Sequence, residues 1–156
     1  MPCKSAKDNS TAPNVMSCPA NGARSRRVSP LTVKSLVRRL SLGVPETQYY
    51  FCRAANCEVV YFPLDAKAPT FYREDLLVRV DTKEAPGPGT VCYCFGVTRK
   101  DIQDEINQNE IGETGQSRLV ERIAAEVEAG RCACEVKNPS GKCCLGEISQ
   151  IARMQR

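Results

Sequence analysis

The stretch "GTVCYCFGVTRKDI", residues 89–102, is where the chain changes architecture. From Thr98 onward it reads as a helix. Thr98 is placed as an N-cap, Asp101 falls in the first turn beside free N–H groups, and Ile102 and Ile106 are four apart. Just before that helix, Cys92 and Cys94 stand one residue apart. Downstream, "RCACEVKNPSGKCCLGEI" adds Cys132, Cys134, Cys143 and Cys144.

Upstream of the stretch lies "TKEAPGPGTVC", residues 82–92. Alternating proline and glycine continue neither a helix nor a strand ladder. A boundary is therefore expected here, with residues 85–89 as linker. Residues 90–156 read as a helical domain. "SRLVERIAAEVEAG" opens at Ser117, aligns Leu119, Val120, Ile123 and Val127, and ends at Gly130; "LGEISQIARM" forms a last amphipathic helix. Residues 17–84 read as β-rich. "QYYFC" (48–52) and "EVVYF" (58–62) suit a pleated, half-buried surface, and "TFYRED" and "LLVRV" read as shorter extended pieces. "TVKSLVRRL" (32–40) has helical spacing, with Thr32 as the expected N-cap. Residues 1–16 are small and polar and are expected to form a disordered tail. The fold class expected is α+β.

The 156 residues include ten cysteines but no histidine and no tryptophan. The missing histidine excludes a Ser-His-Asp triad and a Cys-His nucleophile pair, and leaves any metal to be held mainly by thiolates. No apolar run suits a signal peptide or a membrane span, so a cytoplasmic protein without membrane insertion is expected. Cytosolic thiols stay reduced, which favours metal binding or redox work over a disulfide framework. Residues 1–89 carry 13 Lys+Arg against 8 Asp+Glu, and residues 90–156 carry 9 against 10. The basic excess gathers in "RSRR", Arg24 to Arg27, a mild excess that reads as a solvated face.

Cys52 and Cys57 lie between two strand-like runs, an arrangement that aims two thiolates at one point as zinc ribbons do. Cys18 in "CPANG" and Cys3 are candidates for the other half of that site. Asn21 occupies the place of a second knuckle cysteine. The alternative is a set of buried, reduced core cysteines. Of the six later thiols, four are the number that a 2Fe–2S cluster or a structural zinc requires, leaving two spectators. Cys143 or Cys144 falls at the N-terminus of the last helix, where a thiolate is favoured. The alternative there is a reactive thiol pair without metal.

With "YYFC", "VVYF", "CYCFG" and "NPSGKCCLG" in view, residues 17–150 closely resemble the N-terminal region of CopZ-type copper chaperones. Those proteins combine a zinc module with a 2Fe–2S module similar to bacterioferritin-associated ferredoxin. The resemblance implies a small zinc-ribbon-like domain followed by a helical 2Fe–2S domain. It implies zinc at Cys18, Cys52 and Cys57, completed by Cys3 or Asn21. It implies cluster ligands at Cys92, Cys94, Cys134 and one of Cys143 and Cys144, with Cys144 favoured. Asn21 stands where the family carries a zinc cysteine. The M-x-C-x-x-C copper loop of such chaperones has no counterpart, since C-x-x-C occurs nowhere in the chain. A stand-alone two-metal module is therefore expected.

The expected function is a metal-binding redox or metallochaperone accessory protein, transferring one electron in connection with copper or another soft metal. Cys132 and Cys143 would be spare thiols beside the cluster, able to capture such a metal. The expected partner is a redox or metal-transfer protein, such as a copper-transport ATPase or a copper chaperone domain. The competing reading is a zinc-ribbon-type binding module for nucleic acid or protein, its metals purely structural. Nucleic-acid binding is disfavoured because no aromatic–basic stripe is present. An enzyme is disfavoured too: Asp101, Asp104 and Glu105 read as a solvated helix face, and no phosphate loop or nucleophile elbow occurs.

Overall fold

Tyr49, Tyr50 and Phe51 organise the first half, because successive side chains of a strand face opposite ways. Tyr49 and Phe51 join Val28, Val33, Tyr61, Phe71 and Val80 on one side. Tyr50 joins Cys18, Cys52, Cys57, Val59 and Phe62 on the other. In this computed structural model, which describes residues 11–38, 43–83, 89–112 and 115–154, both faces of the strand are thus covered. The sheet is an antiparallel meander of β1 (Val15–Ser17), β2 (Arg24–Val28), β3 (Tyr49–Phe51), β4 (Val59–Pro63) and β5 (Phe71–Tyr72), adjacent in that order. Cross-strand ring pairs reinforce its centre: Tyr50 stacks on Phe62 and Tyr49 tilts against Phe71, each at 5.5 Å between centroids.

Several sequence expectations shift. β1 begins at Val15, inside the 1–16 tail, because it pairs with β2 and because the buried Tyr50 hydroxyl donates to Pro13 O at 2.8 Å. "RSRR" is a strand, with Ser25 buried and Arg24 and Arg26 outward. The helix expected over 32–40 is α1 (Pro30–Leu36), capped by Ser29 rather than Thr32. Ser29 Oγ accepts from Leu31 N, and Pro30 at the first helical position has no N–H to satisfy. Thr32 is instead fully buried. "LLVRV" forms no strand beyond a single bridge from Leu76 to Val37. Cys3, and the expected linker apart from Gly89, lie outside the described residues.

The second half opens with a two-stranded hairpin, β6 (Thr90–Cys92) and β7 (Val97–Thr98), which turns on "YCFG". It leads into α2 (Arg99–Asn107), whose Thr98 and Asp101 form a reciprocal capping box. α3 (Arg118–Glu128), the short α4 (Cys134–Lys137) and α5 (Leu145–Met154) follow. Their core gathers Val91, Cys92, Ile102, Val120, Ile123, Cys134, Cys144 and Ile148. No helix among the described residues is long and apolar enough to cross a membrane.

The halves meet over the turn "NPSGK". Asn138 shapes it by accepting from Ser140 N and Oγ and by donating to Lys142 O. The buried Tyr61 hydroxyl donates to Pro139 O at 2.5 Å, across 78 residues of sequence. Gly141 has φ +69°, and a Cβ there would lie 2.6 Å from Thr32 Oγ1 on α1. Tyr93, between the hairpin cysteines, donates to Arg79 O and accepts from Asp81 N. Arg99 pairs with Asp81 at 3.1 Å.

Gly141 and Gly130 share a left-handed backbone, but Gly130 (φ +72°) has open space around it. Gly130→Ala is expected to lose about 1 kcal/mol, the left-handed cost alone. Gly141→Ala adds the clash with Thr32 and is expected to lose about 3 kcal/mol. Paired denaturant titrations check the difference.

Candidate metal centres

Cys18, Cys52 and Cys57 come from three separate points of the first half, and their sulfurs all lie within 4.8 Å of one another. All three are buried. Cys18 precedes a knuckle turn closed by Gly22 N to Cys18 O and by Cys18 N to Ala23 O, both at 2.8 Å, with Gly22 at φ +75°. Cys52 follows β3 directly and is held by its N–H to Val60 O. Cys57 closes the intervening loop through its N–H to Ala54 O. The donor set fits a thiolate-held ion such as zinc, with three ligands from the described residues.

Asn21 points its amide nitrogen at this cluster, with Nδ2 at 3.8 Å from Cys52 Sγ. Its oxygen is taken by Ala23 N at 2.8 Å. In this pose Asn21 donates a hydrogen bond to a thiolate and offers no ligand atom.

Lys83 is a participant that no sequence pattern singles out. It is only 4% exposed. Its ammonium donates to Ala54 O at 2.8 Å and Cys57 O at 2.9 Å, bracing the Cys52–Cys57 loop. Burial pushes its pKa down, while the neighbouring Cys52, Cys57 and Cys18 push it up. Burial also acts to raise the Cys52 pKa, but the Ala54 N–H, the Lys83 charge and bonds from Cys18 and Cys57 bring it below the usual thiol value. Burial dominates at Cys18 and raises it. A divalent ion on three thiolates keeps one negative charge, and Lys83 is placed to balance it.

The second group is strung out rather than closed. Cys94 and Cys134 lie 3.6 Å apart, sulfur to sulfur. Cys144 hydrogen-bonds to both Cys134 and Cys92, and Cys134 also bonds to Cys143. The Ala133 N–H donates to Cys94 Sγ at 3.2 Å. Cys92 ends β6, Cys94 sits in the hairpin turn, Cys134 opens α4 and Cys144 immediately precedes α5. Bonds from Cys144 draw Cys134 down to about 6 and Cys92 down to about 7. Cys144 is raised by those same two bonds, and burial pushes Cys94 up to about 11. One retained proton on Cys144 thus serves two neighbouring sulfurs. Cys143 is half-buried, and Cys132 is disulfide-bonded, so Cys132 is not the spare thiol that the sequence suggested.

The Lys83 arrangement has a measurable consequence. Lys83→Met keeps the length of the side chain but removes the charge and both carbonyl bonds. Zinc affinity is expected to fall about 10- to 100-fold, the usual effect of losing a group that orients and balances metal ligands. Competition with a chromophoric chelator measures it.

A family profile described as a zinc binding domain, of the CopZ type, matches residues 15–77. The copper chaperone CopZ of Archaeoglobus fulgidus is 35% identical over 137 residues, covering 88% of this chain; the chain spans 62% of that protein's length. The crystal structure of the N-terminal domain of Archaeoglobus fulgidus CopZ superposes with a TM-score of 0.64 at 34% identity, covering 87% of this chain and 97% of that one. The three cysteines of the first centre fall inside the matched zinc-binding region or its fold. The chain belongs to the family of the CopZ N-terminal domain.

Proposed function

We propose that this chain is a metallochaperone module carrying two metal centres: zinc at Cys18, Cys52 and Cys57, and a 2Fe–2S cluster at Cys92, Cys94, Cys134 and Cys144. The zinc half rests on the family and on the buried three-sulfur site. The cluster half rests on one observation. Four thiols from four separate elements meet in a linked chain, yet among the described residues only Cys18, Cys52 and Cys57 form a set of donors all within 4.8 Å of one another. A single ion asks for a closed set, whereas two bridged irons ask for pairs at either end. The contacts favour Cys144 over Cys143, because Cys144 touches Cys92 and Cys134 and is 2% exposed.

When bound, such a cluster supplies one-electron transfer. This chain's residues would hold it, exclude water with Val91, Val97 and Ile148, and donate to it from the Ala133 N–H, which lies against Cys94. The related Archaeoglobus protein is a copper chaperone, a binding rather than a catalytic role, and this chain is placed with it as a non-catalytic metal-binding protein. Copper or another soft metal is the proposed cargo, and a copper-transport protein in the cytoplasm the proposed partner. Cys143, half-buried beside Cys134, is the remaining free thiol among the described residues and is suited to receive a soft ion.

Anaerobic purification should give a coloured protein with about two irons and one zinc per chain, and a paramagnetic signal on one-electron reduction. Colourless protein holding zinc alone would sink the cluster. Cys144→Ser is expected to lose the iron and the colour, and Cys143→Ser to keep both, with iron analysis and visible absorption as the readouts.

A further inference from the structure

The contact between the two halves leaves a cleft of about 560 Å³, within the range of small-molecule sites. Six cationic side chains line it against two carboxylates, Asp81 and Glu147. Both carboxylates are already engaged. Asp81 pairs with Arg99 at 3.1 Å, and Glu147 with Arg53 at 3.6 Å and Arg99 at 4.0 Å. Arg26 and Lys142 have no ion pair among the described residues. They face one another from different halves, Arg26 from β2 and Lys142 from the turn before Cys143. Phe51 and Pro139 give the cleft an apolar wall between these exposed cations. A concavity lined mainly by charges of one sign focuses its field, and an anion placed among them relieves their mutual repulsion.

We propose that this cleft binds a small multivalent oxyanion, a polycarboxylate or a pyrophosphate-like group, between Arg26, Arg53 and Lys142. The cations come from concave walls rather than from a flat face, which suits a small ligand. The site does not depend on which metals the thiols hold. It does adjoin Cys143, which lines the same cleft, so an occupant would cover the half-buried thiol.

The test uses the full-length, metal-loaded chain with pyrophosphate and citrate as probes, at constant ionic strength made up with sodium chloride. Calorimetry is expected to show saturable binding of at least one probe. Arg26→Ala and Lys142→Ala should each weaken it roughly tenfold or more, the usual loss for a hydrogen bond to a charged group, while Lys67→Ala, remote from the cleft, should not. On the unaltered protein, the bound probe should slow alkylation of Cys143 by iodoacetamide, read by peptide mass spectrometry. Without the probe, anionic iodoacetate should react at Cys143 faster relative to iodoacetamide than it does in the Arg26→Ala variant. Absence of saturable binding with both probes would overturn the proposal. So would equal losses in Lys67→Ala and Arg26→Ala, or a Cys143 alkylation rate that responds to chloride as it does to the probes.

Discussion

The hydrogen bond from the Tyr61 hydroxyl to Pro139 O fixes the relation between the two halves. Tyr61 is wholly buried at the centre of the sheet, and burial raises its pKa, so the hydroxyl remains a proton donor. A buried phenol without an acceptor would be costly, and the acceptor it finds belongs to the turn that positions Cys143 and Cys144. Gly141 in that same turn fits against Thr32 of α1 because it lacks a side chain. The sheet of the first half therefore helps set the backbone that carries Cys143 and Cys144. A strict division into independent domains would miss that dependence.

The two cysteine groups solve the problem of clustered thiols differently. In the first, a buried ammonium stands beside three sulfurs and braces the loop that carries two of them. That arrangement lowers the pKa of Cys52, while burial raises that of Cys18. In the second, the sulfurs are partnered by one another and by the backbone N–H groups of Cys94, Phe95, Ala133 and Cys144, with no ammonium among their described partners. The difference is one between a small closed set of thiols able to hold one divalent ion and a longer, open set.

What the sequence made legible were features that repeat locally. The aromatic runs, the Thr98 cap, the α3 stripe and the thiol spacings are short-range patterns, and the structure contains each. The misplacements arose where a nearby competitor had the better local chemistry. Ser29 followed by Pro30 makes a stronger helix start than Thr32, and pairing with β2 and β3 turned the polar Val15 segment and "RSRR" into strands. Lys83 was invisible, because its partners are carbonyls 26 and 29 residues away, which leave no trace in composition or period. Position alone leaves the role of Asn21 at the zinc site open. Only the bond from Ala23 N to its oxygen reveals that the amide nitrogen faces the sulfur.

Tyr93 shows how function and fold share a residue at the stretch where the chain changes architecture. Cys92 and Cys94 pack into the core of the second half, while Tyr93, the first residue of the hairpin turn, reaches the first half. There its hydroxyl joins Arg79 O to Asp81 N, two residues before Lys83 at the first metal centre. One tripeptide thus places two of the clustered thiols of the second half and fastens the segment that delivers a buried ammonium to the sulfurs of the first. A mutation at Tyr93 acts at a distance from both sets of sulfurs, so the spacing of C-Y-C constrains more than the thiols it carries. The same logic explains why the basic cleft forms where it does: Pro139, Tyr93 and Arg99, which join the halves through Tyr61, Arg79 and Asp81, all line it.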